Sequence, residues 1–384
     1  MTTARTATVL PVPWSQMPPI DLSTATEDAL VGALAAHGLP AFRAAQLRRA
    51  TWQPFVTRIE DIRQLPAAAH DALSRVLRFS TLEVAAVSEA DGGRTVKLLC
   101  RLGDGQTIET VAMETPARER SRRRATVCVS TQVGCAVGCP FCATGRMGLT
   151  RSCTAAEVVD QVRAAAAALY ARGLGPVTHV VYMGMGEPLA AYDTTVASLR
   201  ALVGDGGISA RRITVSTSGV VPAIHRLGGE DIGCTLAISL HAATDELRDR
   251  LVPLNRAHPL ATLVAAGVDY ARRTGRRLTF EWCLIGGVND SIEQARSLRE
   301  VARRAHAHVN VIPMNHIDDS PWGPPDRRTE RAFLAELDGV VVTVRDTRGA
   351  DSEAACGQLR AALQQRRRLQ ADGTLSAPRR AMAR

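Results

Sequence analysis

Apolar residues recur at helical spacing in the first part of the chain, between Ala25 and Leu77. Two Leu-Pro pairs, Leu39-Pro40 and Leu65-Pro66, interrupt this spacing. Proline ends a helix because it lacks a backbone N–H and restricts the residue before it. The pattern therefore predicts a small domain of short helices joined by turns at the two Leu-Pro pairs.

Between Thr81 and Met113 the period changes, and apolar and polar residues alternate. Two turn sequences, Asp91-Gly92-Gly93 and Gly103-Asp104-Gly105, break the alternation. Alternation places successive side chains on opposite faces of a strand, and Asp-Gly pairs are typical of hairpin turns. This segment predicts a three-stranded β-meander.

After Ala125 short apolar runs alternate with segments of helical spacing, which predicts repeated βα units with parallel strands. A seventh run, Val340–Arg345, precedes a last predicted helix at about Ser352–Gln365. We predict an α/β fold, a partial (βα)6 barrel. Its six strand candidates are Thr126–Ser130, Thr178–Met183, Ile213–Val215, Thr235–Ile238, Leu278–Leu284 and Val309–Ile312.

These patterns predict four segments along the chain. Residues 1–78 form a helical domain of a kind that binds RNA, and residues 79–124 form the meander and an arginine-rich linker. Residues 125–350 form the partial barrel. Residues 351–384 form a C-terminal helix and a basic tail.

The composition of the 384 residues, 46 % hydrophobic and 22 % charged, is that of a globular protein and excludes a fibrous or disordered chain. The net charge is 47 − 38 = +9, so nucleic acid is a candidate partner. Lys97 is the single lysine, so the basic residues are almost all arginine, whose planar fork suits phosphate contacts. The sequence has no signal-peptide pattern and no apolar run near the roughly 18 residues of a membrane span. We expect a cytoplasmic protein with no membrane partner.

The nine cysteines are an odd number in a long chain without a secretion signal, which favours metal or redox chemistry over a disulfide scaffold. Three of them, Cys135, Cys139 and Cys142, lie within eight residues in the loop after the first barrel strand. Thiolates select iron–sulfur clusters or zinc, and a closed zinc site needs four ligands. The Cys-x3-Cys-x2-Cys spacing resembles that of radical S-adenosylmethionine (SAM) enzymes. The alternative is a structural zinc site completed by Cys128 or Cys153.

Polar segments follow the predicted barrel strands, where active sites of βα barrels are found. The segment Gly184-Met185-Gly186-Glu187-Pro188 resembles the one that binds the amino group of SAM in radical SAM barrels, because a carboxylate there accepts a hydrogen bond from an ammonium group. Three further polar segments end strands: Ser216-Thr217-Ser218-Gly219, Ser239-Leu240-His241-Ala242 and Pro313-Met314-Asn315.

Two cysteines far apart in the sequence make the resemblance closer. Cys128 opens the sequence Cys-Val-Ser-x-Gln-Val-Gly-Cys, and Cys356 lies in Ala-Ala-Cys-Gly-Gln-Leu. Together these motifs resemble the RlmN/Cfr group of rRNA adenine methyltransferases. The resemblance covers nearly the whole chain and includes Pro40–Gln46, Ile108–Val111 and Thr343–Gly349.

The resemblance implies one [4Fe-4S] cluster and two SAM molecules per turnover. It implies that Cys356 takes a methyl group from the first SAM, and that a radical formed from the second activates this methyl for addition to adenine. Cys128 then resolves the protein–RNA adduct by forming a disulfide with Cys356, and either Glu109 or Cys128 removes the ring proton. The cluster ligands implied are Cys135, Cys139 and Cys142, and the SAM pocket implied comprises Gly186, Glu187, Ser216, Ser239, Leu240, His241 and Asn315.

The function predicted from this resemblance is methylation of adenine carbon 2 in 23S rRNA, with tRNA as a second candidate substrate. The alternatives are methylation of carbon 8, a methylase of the same mechanism that acts on a small molecule, and an RNA-binding protein with a structural metal site. By analogy the electron donor is a flavodoxin-type protein, and we expect a monomer.

Overall fold

The computed structural model describes residues 19–117, 122–315 and 320–345. The chain divides into two compact units between Thr81 and Leu82. Cys356 and the predicted C-terminal helix lie outside the described residues. None of the described helices is both long enough and apolar enough to cross a membrane.

The N-terminal unit contains α1 (Glu27–Ala36), α2 (Arg43–Thr51) and α3 (Ala67–Val76), and the short strands β1 (Ile20–Asp21) and β2 (Leu77–Arg78) pair in parallel. The helices are interrupted at both Leu-Pro pairs, as the sequence predicts. Its core is one apolar cluster, whose fully buried members include Leu30, Leu34, Leu47 and Leu73.

The β-meander is also confirmed. Strands β3 (Leu82–Ala90), β4 (Thr95–Leu102) and β5 (Thr107–Thr115) pair antiparallel in sequence order. The meander is continuous with the rest of the sheet, because β5 also pairs antiparallel with β6 (Arg124–Cys128), the first barrel strand.

The parallel strands of the barrel follow β6 in sequence order across the sheet. All six predicted strands are present, and a seventh, β14, extends the sheet, so the partial-barrel prediction is confirmed. These strands are β9 (His179–Tyr182), β10 (Ile213–Thr217), β11 (Thr235–Ser239), β12 (Thr279–Leu284), β13 (His308–Pro313) and β14 (Val342–Val344).

Helices connect these strands, as βα units require. Apolar side chains of the sheet are buried against them, and the hydroxyl of Tyr182 on β9 lies 2.8 Å from Ser198 Oγ on α5. The helices are α4 (Ala155–Tyr170), α5 (Tyr192–Val203), α6 (Val221–Leu227), α7 (Asp245–Leu251), α8 (Leu260–Thr274), α9 (Ile292–Arg304) and α10 (Arg327–Ala335).

The sheet curves strongly without closing. Strand β14 is at its edge, five strands from β9, yet Arg345 Nη2 just after β14 lies 3.6 Å from Met183 Sδ just after β9. The carboxyl ends of the parallel strands therefore surround a common space. A hairpin that the sequence pattern does not predict, β7 (Gln132–Gly134) with β8 (Leu149–Ser152), closes the cysteine-containing loop.

Candidate active site

The loop that carries Cys135, Cys139 and Cys142 is fixed at both ends by backbone contacts. The N–H of Cys135 donates to the carbonyl of Gly148 at 3.0 Å. A Cβ at Gly134, whose φ is +80°, would lie 1.8 Å from the Gly148 oxygen. The hairpin therefore requires glycine at position 134, and this close approach holds the loop in one conformation.

The chemistry of these three thiols fits an iron–sulfur cluster better than a single metal ion. Among the described residues, Cys128 and Cys153 included, no set of three His, Cys, Asp or Glu side chains could hold one metal ion. A zinc ion needs its ligands to converge at about 2.3 Å, whereas each thiolate of a four-iron cluster binds a different iron.

The three thiols nevertheless lie close enough to influence one another. Burial raises the pKa of Cys135 to about 11 and also raises the pKa of Cys139, and the negative charge of Cys142 adds to both shifts. Glu187 acts on both thiols in the same direction. The carboxylate of Glu187 is therefore close to the cysteine loop in the folded chain.

Glu187 is held by a set of hydrogen bonds at the carboxyl end of β9. Its Oε2 accepts from the Ser218 backbone N–H at 2.7 Å and from the Ser218 hydroxyl at 2.6 Å, and its Oε1 accepts from the Leu189 N–H at 2.9 Å. Its own N–H donates to Gln132 Oε1 at 2.9 Å. Burial raises the pKa of Glu187, and these hydrogen bonds oppose that rise.

Gly186 permits this arrangement. Its φ is +99°, and a Cβ at this position would lie 2.5 Å from Gln132 Cβ. The backbone of the Gly-Glu segment is therefore packed directly on Gln132, the first residue of β7. This contact joins the Gly-Glu segment to the hairpin that carries the cysteine loop.

The polar segments after β10 and β11 lie side by side. Ser216 Oγ and Ser239 Oγ are 3.5 Å apart, and the backbone N–H of buried Leu240 donates to the Glu281 carbonyl at 3.0 Å. Asn315 follows the carboxyl end of β13 and is half-buried. All the predicted pocket residues therefore lie at the carboxyl ends of parallel strands, on one edge of the sheet.

His241 has a strained backbone and a defined ring state. Its φ is +57°, and its Nδ1 accepts the Cys283 N–H at 2.9 Å, which leaves the ring proton on Nε2. The Phe141 ring packs edge-on against it, with centroids 5.0 Å apart. Burial, assisted by the charge of Arg248, lowers the pKa of His241 to about 3. The imidazole is neutral at physiological pH and packs against the cysteine loop.

Glu109 and Cys128 lie on the same face of the sheet. Cys128 on β6 is directly opposite Val111 on β5, and the two side chains pack in one apolar cluster. Glu109, two residues before Val111, points to this same face, so it is a diagonal neighbour of Cys128, at a separation of about 7–8 Å. Glu109 and Cys128 are both buried. Their predicted partner Cys356 lies outside the described residues.

Two buried networks hold this face in place. Ser130 Oγ donates to the Glu109 carbonyl at 2.6 Å and accepts the Met185 N–H at 2.9 Å, so it connects β5 with the Gly-Glu segment. The side chain of Gln161 bonds both backbone groups of Ser130 and the hydroxyl of Thr110. The chain around the Glu109 and Cys128 pair is therefore fixed by polar contacts from three elements.

Two buried charged residues of this region were not found from the sequence. Glu281 on β12 accepts from Asn310 Nδ2 at 2.6 Å, and burial raises its pKa. Arg248 on α7 is completely buried. For Glu281 the sequence offers one signal, an acidic residue within the apolar run of β12. For Arg248 it offers none, because the charged sequence of α7 is typical of a solvent-exposed helix.

Known proteins share these features. A family model described as the Radical SAM superfamily matches residues 129–298. The chain is 46 % identical over 379 residues to a "Probable dual-specificity RNA methyltransferase RlmN" of Parafrankia sp. (strain EAN1pec), which covers 94 % of this chain and 97 % of that protein. A protein of the same description from Bifidobacterium adolescentis is 42 % identical over 359 residues, 90 % of this chain and 91 % of that one.

A solved structure agrees with these sequence matches. The crystal structure of a radical SAM methyltransferase from Sphaerobacter thermophilus is 45 % identical and superposes with a TM-score of 0.83. The match covers 88 % of this chain and 99 % of that chain. The similarity therefore extends over most of the fold.

Proposed function

Because the chain belongs to the RlmN family of radical SAM RNA methyltransferases, we propose that it methylates carbon 2 of an adenine in 23S rRNA and in tRNA. The relatives are described as dual-specificity RNA methyltransferases, and the net charge of +9 suits a polyanionic substrate. Family membership excludes a non-catalytic RNA-binding protein and disfavours a small-molecule substrate. An rRNA substrate implies a cytoplasmic enzyme.

In this proposal Cys135, Cys139 and Cys142 bind a [4Fe-4S] cluster, and SAM binds beside them. Glu187 accepts hydrogen bonds from the SAM amino group. The cofactor contacts after the other strands are Ser216, Ser239, the Leu240 and His241 segment, and Asn315. When bound, the cluster and SAM together supply a 5′-deoxyadenosyl radical.

Cys356 carries the methyl group in the proposed cycle. Its thiolate attacks the methyl carbon of one SAM, and S-adenosylhomocysteine leaves, which produces S-methylcysteine. A carbon of adenine that bears hydrogen is too weak a nucleophile for direct methyl transfer, so this methyl is activated as a radical. One SAM is consumed as the methyl donor and a second as the radical source, which gives two per turnover.

The observation that carries the proposal is the shared sheet face of Glu109 and Cys128, fixed by β-sheet register. In the adduct a methylene carbon joins the base to the Cys356 sulfur. The Cys128 thiolate attacks that sulfur, so the S–S bond forms and the S–C bond breaks, and the methylene carbon keeps the electron pair and takes up a proton to become the methyl group. A second group is then needed to accept the ring proton, and the buried side chain of Glu109 lies on the same face. We assign Cys128 as the resolving nucleophile and Glu109 as the proton acceptor.

Carbon 8 is the other position that this chemistry can reach. The Arg345-Asp346-Thr347-Arg348-Gly349 segment before Cys356 resembles the carbon-2 branch of the family more than the carbon-8 branch. The product nucleoside decides between them.

The test is an anaerobic reaction of the cluster-loaded enzyme with reductant, methyl-labelled SAM and either a 23S rRNA fragment or tRNA. Digestion and mass spectrometry should identify labelled 2-methyladenosine with both RNAs. Cys356→Ala should abolish labelling, whereas Cys234→Ala, at a buried thiol bonded to Tyr270, should not. Labelled 8-methyladenosine would overturn the carbon assignment. SAM cleavage with unlabelled RNA would overturn the substrate assignment.

A further inference from the structure

Helix α7 buries one arginine side chain completely, that of Arg248. Its Nη2 donates to the carbonyls of Ser218 at 2.7 Å and Ser239 at 3.1 Å, its Nε to the Leu240 carbonyl at 3.1 Å, and its Nη1 to Asn255 Oδ1 at 2.9 Å. These bonds occupy four of the five guanidinium N–H groups. The side chain therefore clamps together the segments that follow β10 and β11.

All four acceptors are neutral. Among the described residues no carboxylate lies within 4 Å of the Arg248 guanidinium in an ion pair. Asp245 and Asp249 are nearby, but both accept hydrogen bonds from Asn255 Nδ2, at 2.9 and 2.7 Å. Burial lowers the pKa of Arg248 to about 10, so the side chain is positively charged at neutral pH. A buried charge is costly unless an anion lies nearby.

The segment that Arg248 binds packs against the cysteine loop. Cys139 and Phe141 pack in one apolar cluster with Leu251 of α7 and with Ala242, beside the clamped segment. Arg248 Nε donates to the Leu240 carbonyl, and the ring of the next residue, His241, packs against Phe141 of the cysteine loop with centroids 5.0 Å apart. The anion that matches this cation therefore belongs at the three cysteines.

We propose that Arg248 is a positioning residue with two tasks: it supplies the buried counter-charge of the iron–sulfur cluster, and it clamps the two strand-end segments that bind SAM. The inference rests on the proposed function for the presence of the cluster. A cluster held by three thiolates is anionic and becomes more so on reduction. The reduction potential of such clusters depends on net charge and hydrogen bonding around them, so a fixed cation stabilises the reduced form.

The two tasks are separable by substitution. Arg248→Lys keeps the positive charge but cannot reach three carbonyls with a planar fork. Arg248→Met keeps much of the side-chain volume and removes both the charge and the donors. Arg250→Met is the matched control, because Arg250 is on the same helix and exposed.

Each variant is reconstituted anaerobically as the full chain, and its iron and sulfide content is measured. The midpoint potential is then determined by a redox titration monitored by electron paramagnetic resonance, without RNA. We expect Arg248→Met to shift the potential to more negative values, and Arg248→Lys to restore it toward the wild-type value. Arg250→Met should leave it unchanged. An unchanged potential in Arg248→Met, or equal shifts in the Lys and Met variants, would show that Arg248 is not the counter-charge of the cluster.

The clamp has its own readout, the change that SAM causes in the spectrum of the reduced cluster. We expect Arg248→Lys to require about ten times more SAM for half of this change, while the Arg250→Met variant requires the wild-type amount. If Arg248→Lys and wild type need equal amounts of SAM, the hydrogen bonds of Arg248 do not position the segments that bind SAM. If Arg248→Met does not fold, Arg248→Gln takes its place in the potential measurement, because it also removes the charge but keeps an N–H donor group. Both measurements are made without RNA. A failure of the substrate assignment would therefore leave their results unchanged.

Discussion

Ser218 donates two hydrogen bonds to a single oxygen of Glu187, one from its backbone N–H at 2.7 Å and one from its hydroxyl at 2.6 Å. Glu187 follows β9 and Ser218 follows β10, so this contact joins two strand-end segments. Arg248 binds the carbonyl of the same serine. The position of the Glu187 carboxylate is therefore coupled to the strand that follows it in the barrel.

Glu187→Gln should weaken SAM binding. The amide is neutral, and its NH₂ group replaces one acceptor oxygen, so it opposes either the Ser218 donors or the Leu189 N–H. Hydrogen bonds to charged groups contribute roughly 1.5–3 kcal/mol, so we expect about a 10- to 100-fold higher Kd. Equilibrium SAM binding to the cluster-loaded protein measures this. Glu246→Gln, at an exposed position, is the control, and an equal Kd in both variants would contradict the assignment.

Gly186→Ala should destabilise the protein more than Gly287→Ala. Both glycines have positive φ, +99° and +68°, and a non-glycine residue in a left-handed conformation costs roughly 1–2 kcal/mol. No atom lies within 4 Å of a Cβ at position 287, so Gly287→Ala should lose stability only through the strained backbone conformation. At position 186 the Cβ also collides with Gln132 at 2.5 Å. Denaturant unfolding of the two variants compares the costs, and equal losses would show that the segment relaxes freely.

The stability contributed by His241 should fall as the solution is acidified. Its folded pKa of about 3 is below the usual 6.5, so the unfolded chain binds the extra proton first. The contribution is complete above pH 6.5 and decreases as pH falls toward 3. Between pH 7.5 and 5.5 the unfolding free energy of wild type should drop about 1.4 kcal/mol more than that of His241→Gln. Denaturant titrations at both pH values test this, and parallel losses would mean that His241 is protonated in the folded state.

The order of the strands was predictable from sequence because each parallel strand is a short apolar run bounded by polar residues. The spacing of Cys135, Cys139 and Cys142 and the Gly-Glu segment were predictable for a related reason: local sequence alone brings those residues close together. The cysteine loop and the Gly-Glu segment lie close together because both follow the carboxyl ends of parallel strands.

Arg248 and Glu281 were not predictable because their environments are made by distant residues. Arg248 lies in Asp-Glu-Leu-Arg-Asp-Arg-Leu, where charged residues alternate as they do on exposed helices. The carbonyls of Ser218, Ser239 and Leu240 and the amide oxygen of Asn255 accept its N–H groups and make its burial possible. The hairpin of β7 and β8 was missed because its strands are too short to show a period of two.

Gln161→Met should be among the most destabilising single changes in the barrel. The buried amide uses both ends: Oε1 accepts from Ser130 N–H at 2.7 Å and Thr110 Oγ1 at 2.8 Å, and Nε2 donates to the Ser130 carbonyl at 2.8 Å and the Glu157 carbonyl at 3.1 Å. Methionine fills the volume but leaves buried backbone groups of Ser130 without partners, each at about 1–3 kcal/mol. We expect a loss of at least about 3 kcal/mol in denaturant unfolding.

Gln294→Met provides the matched control, because Gln294 is half-buried and its amide oxygen accepts one hydrogen bond, from Ala243 N–H at 3.2 Å. Its loss should stay below about 1.5 kcal/mol. Ser130 also holds the Glu109 carbonyl, so Gln161→Met should reduce RNA methylation even at temperatures where the variant is fully folded. Equal stability losses at the two positions, or full methylation by folded Gln161→Met, would show that the network does not fix the Glu109 and Cys128 face.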